Sequence, residues 1–137
     1  MKEILIAMFL LFPFFTTGPA DFRVAKEMPL ITKDLPDIPG KEVLVEKVVL
    51  SPGEAARPHR HNADVFAYVL EGSVITQLEG REPQIVHAGE IFYESPTDIH
   101  LGSRNVSTRQ PATLLVFFVK KIGAPPTVAV GKADAAH

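Results

Sequence analysis

The chain has 137 residues, a length that suits one domain, with 46% hydrophobic and 22% charged side chains. Sixteen acids against fourteen bases give a formal charge of −2 with no basic run, which argues against a nucleic-acid partner, since phosphate binding needs clustered Lys and Arg. The lack of cysteine excludes disulfides and thiolate chemistry.

The chain opens with Met1-Lys2-Glu3 and then an apolar run of twelve residues, Ile4 to Phe15, broken only by Pro13. Gly18 and Ala20 follow as small residues at the −3 and −1 positions of a cleavage site. This order reads as a signal peptide over residues 1–20. The run is shorter than the roughly 20 residues of a membrane-spanning helix. The expectation is therefore an exported protein, periplasmic or secreted, with no stable membrane association after cleavage. An uncleaved anchor or a buried N-terminal helix is the alternative. Residues 21–40 carry Pro29, Pro36 and Pro39 in a polar setting with no persistent period, and read as an extended N-terminal arm.

From Lys41 the pattern changes. Glu42 to Leu50 (EVLVEKVVL) reads as a strand stopped by Ser51-Pro52-Gly53. Val65 to Leu70 is a second strand, closed by Glu71-Gly72, and Ser73 to Leu78 a third. Ile85-Val86 leads into Ala88-Gly89, Ile91 to Tyr93 resumes before Ser95-Pro96, and Thr113 to Val119 is a near-continuous apolar strand. Short strands with regular turn signals and no helical period predict an all-β sandwich or barrel. It occupies residues 41–121, and the Gly-, Pro- and Ala-rich residues 122–137 form a flexible tail.

Three of the five histidines stand where such strands can gather them. His59 and His61 are two apart, so on an extended backbone both point to one face. Two imidazoles so placed suit one metal ion, although a metal-free surface His-x-His gives the same pattern. His100 follows its own proline turn about forty residues on. His87 and the terminal His137 are assigned no role.

The spacing Gly53-x5-His59-x-His61, followed by VFAYVLEG ending at Gly72, resembles the first motif of the cupin family. Ala88-Gly89-Glu90, Pro96, His100 and Asn105 resemble the second. The resemblance spans Glu42 to Val119 and implies a double-stranded β-helix (jelly-roll) barrel holding one divalent transition metal, Fe, Mn, Ni, Zn or Cu. Carried over by position, the metal ligands are His59, His61 and His100. The family's glutamate, seven residues before the motif-one glycine, is replaced here by Val65. Asp64 beside it belongs to the opposite strand face. Glu94 falls where second motifs place an inward apolar residue. A carboxylate aimed into a barrel costs several kcal/mol unless paired or coordinated, which makes Glu94 the candidate fourth ligand. The competing readings are a local twist turning it to solvent, or pairing with Arg104.

Arg104, Tyr68 and Gln77 are the candidate substrate-binding residues: Arg104 as an anion binder at the barrel mouth or a structural ion-pair partner, Tyr68 and Gln77 as pocket lining or ordinary strand residues. Three functions follow from the trio of histidines. The first is a metal-dependent enzyme on a small molecule, of dioxygenase, lyase or isomerase type. The second is a non-catalytic small-ligand binder, and the third a barrel whose histidines are relics. The resemblance also implies a homodimer.

Overall fold

The computed structural model describes residues 25–130. The signal peptide expected over residues 1–20 lies outside them. Among the described residues there is no helix. Ten strands run β1 (Lys26–Asp34), β2 (Lys41–Leu50), β3 (His59–His61), β4 (Ala63–Glu71), β5 (Ser73–Leu78), β6 (Gln84–His87), β7 (Ile91–Glu94), β8 (His100–Asn105), β9 (Ala112–Lys121) and β10 (Thr127–Ala129). They form two five-stranded sheets, β1-β2-β9-β4-β7 and β10-β3-β8-β5-β6, with every pairing antiparallel. This is the jelly-roll arrangement the resemblance implies.

Alternation along the strands creates the core. On β4, Ala63, Val65, Ala67 and Val69 are buried while Phe66, Tyr68 and Leu70 are exposed. The register then aligns inward residues in rows across the first sheet. One row is Leu44, Phe118, Val65 and Glu94; the next is Glu46, Val116, Ala67 and Phe92. Each fully buried aliphatic side chain contributes roughly 1.5–3 kcal/mol. The rows are apolar in the middle and carry a carboxylate at one end.

Two segments expected outside the barrel carry strands within the described residues, which end at residue 130. The arm expected over residues 21–40 contains β1, which pairs with β2 from Lys26 opposite Val49 to Asp34 opposite Glu42. Its residues are almost all exposed, so no buried face imposes a period on its sequence. Pro29 is accommodated because the strand lies at the sheet edge and its register shifts between Pro29 and Ile31. The tail expected to be flexible contains β10, which pairs Thr127 with His61 and Ala129 with His59. At three residues it is too short to show a pattern.

Candidate metal centre

β3 delivers His59 and His61, β8 delivers His100 and β7 delivers Glu94. One ligand atom from each lies within 4.8 Å of all the others. His59 Nε2 is 3.0 Å from His61 Nε2 and 3.3 Å from His100 Nδ1. Glu94 Oε2 is 3.2 Å from His100 Nδ1 and 3.5 Å from His61 Nε2. Two ligands bound at about 2.1 Å and subtending 90–109° at an ion stand roughly 3.0–3.4 Å apart. The four closest pairs therefore stand at or near the spacing of a coordination shell, with all four atoms within 4.8 Å.

The far side of each ring is tied down. His59 Nδ1–H donates to the Arg57 carbonyl at 2.6 Å, and His61 Nδ1–H donates to the Pro126 carbonyl at 3.2 Å with the Thr127 hydroxyl at 3.1 Å. A carbonyl only accepts, so both protons sit on Nδ1 and both Nε2 lone pairs face the centre. His100 Nε2 meets the hydroxyls of Thr76 at 2.8 Å and Ser103 at 3.2 Å, leaving Nδ1 to face inward. Such outer contacts orient metal-binding imidazoles. Without an ion or proton between them, inward lone pairs at these distances repel.

Burial sets the protonation. Desolvation, then His59, lowers His61 to about 4. Desolvation, then His59 and His61, lowers His100 to about 3. Desolvation, with a smaller push from Asp98, raises Glu94 to about 8. At neutral pH these three groups are largely uncharged. A bound cation would reverse that logic and hold the carboxylate ionised.

Val65, which stands where the family supplies a glutamate, is directly opposite Glu94 in the β4–β7 ladder, and the two share the inward face. Opposed residues in a ladder have Cβ atoms about 4.5–5.5 Å apart. Glu94 thus stands one strand sideways from the family's glutamate position, in the same row. Glu94 is only 3% exposed, which removes the solvent-facing alternative, and it faces the imidazoles rather than Arg104. Asp64 points outward as expected and accepts a hydrogen bond from Tyr93.

The three candidate substrate residues do not join the site. Tyr68 lies on the exposed face of β4. Gln77 is turned away from the interior and donates to the Arg81 carbonyl, while its neighbour Thr76 faces in. Arg104 is exposed. Four residues after His100 it would share that residue's face on a regular strand, but β8 carries a bulge. Gly102 pairs with Gln77 and His100 with Leu78, so Leu101 is extra. The bulge puts Ser103 and Asn105 inside and Arg104 outside. Gly102 itself has φ +120°, and a Cβ there would lie 2.4 Å from the Ala56 carbonyl oxygen.

The cluster opens into a cavity that reaches the surface. Its walls are mostly apolar, with Val65, Ala67, Phe92, Leu114, Val116 and Phe118 among them. Phe118 meets the His61 ring edge-on at 5.3 Å. Sequence reasoning missed Thr76, Ser103, Pro126 and Thr127 behind the histidines, and Glu46 in the cavity wall. Only Thr76 and Glu46 carried a signal, being polar at inward positions of alternating strands.

The chain is an all-β jelly roll with three imidazoles and a carboxylate gathered at one interior point. The chain belongs to the cupin family: the Cupin domain family matches residues 46–118, more than half of its length. No curated protein matches it. Among solved structures it is similar to a cupin-like protein from Thermotoga maritima, at 18% identity over 88% of this chain and 90% of that one, with TM-score 0.61. It is similar to a DMSP lyase from Ruegeria pomeroyi at 19% identity, over 64% of this chain and 43% of the lyase, with TM-score 0.57. An oxalate oxidase in complex with the substrate analogue glycolate matches at 24% identity, over 64% of this chain and 46% of the oxidase, with TM-score 0.55. The chain thus spans less than half the length of either enzyme.

Proposed function

We propose that this chain is a metal-dependent cupin that acts on a small molecule inside its barrel, through chemistry of the dioxygenase, lyase or isomerase type. The observation that carries it is the convergence of His59, His61, His100 and Glu94 within 4.8 Å, each imidazole anchored from behind. Three nitrogens and one oxygen suit Fe, Mn, Ni, Zn or Cu as a divalent ion. When bound, such an ion supplies Lewis-acid polarisation or an activated water at an open position. The protein's own part is to hold the ligands in register, keep Glu94 available as a carboxylate, and shield the centre with Phe92, Phe118 and Val65.

The test is elemental analysis of protein purified without chelator or tag, beside His100→Ala. Near-stoichiometric metal in the wild type and its loss in the variant support the reading, and a metal-free wild type overturns it. Turnover of enediols, flavonols or sugar acids by the loaded protein then tests catalysis.

A binding role without turnover draws support from one feature: all four groups of the cluster serve as ligands, which leaves no spare base beside the ion. Ligands that stabilise stripped and loaded protein equally in thermal-shift assays would favour it. Export belongs to the same proposal, supported by the Ile4–Phe15 run, and fractionation of cells expressing the full chain tests it. A homodimer is also part of it. The exposed apolar face bearing Phe66, Tyr68, Ile91 and Tyr93 is the place to test that by light scattering.

A further inference from the structure

Glu46 stands in the cavity wall on β2, 7% exposed, in the row that also holds Val116, Ala67 and Phe92. Among the described residues it has no hydrogen bond and no cation beside it, and Glu27 is its charged neighbour at the cavity edge. Burial, reinforced by Glu27, raises its carboxyl above the usual carboxylate range. It is not part of the metal-ligating group. Glu94 sits three strands away in the adjacent row, about 14 Å along a flat sheet and less in one curled around a cavity. No Lys or Arg lines the cavity among the described residues.

Glu46 has no protein partner among the described residues, and its oxygens keep solvent contact within the cavity, so the carboxylate stands ready to accept from a ligand. Its position across the apolar floor from the four-ligand cluster gives it that use. Resting on the metal-centre reading, we propose that Glu46 receives the far end of the ligand. The site then takes a small molecule with a metal-binding oxygen at one end, an apolar middle and a hydrogen-bond-donating ammonium or hydroxyl group at the other. A second carboxylate at that end would face Glu46 and Glu27 with no counter-charge, so extended dicarboxylates are rejected.

Cobalt(II)-loaded protein, its metal content checked first, is titrated with 4-aminobutanoate and 5-aminopentanoate, the matching unsubstituted fatty acids, and succinate and glutarate. The visible cobalt spectrum and calorimetry report binding. The expected order is amino acid over fatty acid by at least tenfold, a ratio in line with a charge-assisted hydrogen bond, with the dicarboxylates weakest. Glu46→Gln should reduce the ammonium preference to below twofold while cobalt content and the ligand-free spectrum stay unchanged. Dicarboxylates that bind as tightly as the amino acids, or a preference that survives Glu46→Gln, overturn the assignment. If the protein takes up no cobalt, the metal reading fails by itself, and metal-free protein is compared with butylammonium and butanoate by thermal shift. Stabilisation by the ammonium alone, lost in Glu46→Gln, then supports the role of Glu46, and its absence overturns it.

Discussion

Replacing Glu94 by Gln keeps the shape of the side chain and removes its titration, and the consequence can be worked out for the metal-free protein. Burial holds the folded carboxyl at about 8 against 4.5 for the unfolded chain. Between pH 6.5 and 8 the unfolded chain has lost this proton and the folded protein retains most of it. The Glu94 contribution to stability therefore falls as pH rises through that window, by roughly 1.5–2 kcal/mol at 1.36 kcal/mol per unit. His61 and His100, lowered to about 4 and about 3, act mostly below it. There the unfolded rings bind protons the folded ones refuse, so stability rises with pH; at pH 6.5 the unfolded rings are still half protonated, and the two together add back roughly 0.8 kcal/mol between pH 6.5 and 8. Urea titrations of chelator-treated protein at pH 6.5 and 8 should show a net fall of roughly 1 kcal/mol in wild type and a rise of similar size in Glu94→Gln. Saturating metal should abolish the fall, because a ligated carboxylate is already ionised. At pH 7 a carboxyl at about 8 is roughly nine-tenths protonated, so metal binding should expel about 0.9 proton more from wild type than from the variant, read by calorimetry in buffers of different ionisation enthalpy. Wild-type and variant curves that decline in parallel would refute the account of Glu94.

The remaining expectations concern the scaffold around the centre. Gly102→Ala places a Cβ against the Ala56 carbonyl at a φ that L residues rarely adopt, and should cost about 2 kcal/mol or more and lower metal affinity at least tenfold. Gly80→Ala, also at positive φ but with nothing within 4 Å, is the control and should leave metal affinity intact. Asn105→Ala strips hydrogen bonds from the carbonyls of Leu50, Ser51 and Gln110 and from the Ser107 amide, and should lower the unfolding free energy by about 3 kcal/mol in urea titration. Glu94→Val should lose metal, and the double variant Val65→Glu/Glu94→Val should regain it, since the two positions are opposed in one ladder; a double variant as empty as the single one counts against the transposed ligand.

Most of the sheet structure was legible because half-buried strands advertise themselves. Val65, Ala67 and Val69 alternate with Phe66, Tyr68 and Leu70, and the glycine turns punctuate them. β1 and β10 escaped notice for the opposite reason. An edge strand open to solvent on both faces is under no pressure to alternate, and three residues cannot show a period. The histidine trio was legible through spacing. Glu94 was legible through cost, as a carboxylate at a position whose neighbours are apolar.

Arg104, Tyr68 and Gln77 stand outside the cavity wall, and parity explains why. The face of a strand residue is set by counting from a neighbour of known direction, and one inserted residue inverts every later assignment. The extra Leu101 in β8 does this for Arg104. Tyr68 and Gln77 sit on regular strands, and there the count itself, taken from Val65 and from Val74, already points both away from the interior. Applied evenly, the same count brings Thr76 behind His100 and Glu46 into the cavity wall. Both are polar residues placed inward: Thr76 meets the imidazole of His100, and Glu46 opens onto the cavity, where we propose it receives the ligand. The buried polar groups of this barrel thus trace its chemistry from the metal centre to the opposite wall, and the bulge at Leu101 decides which of β8's side chains take part.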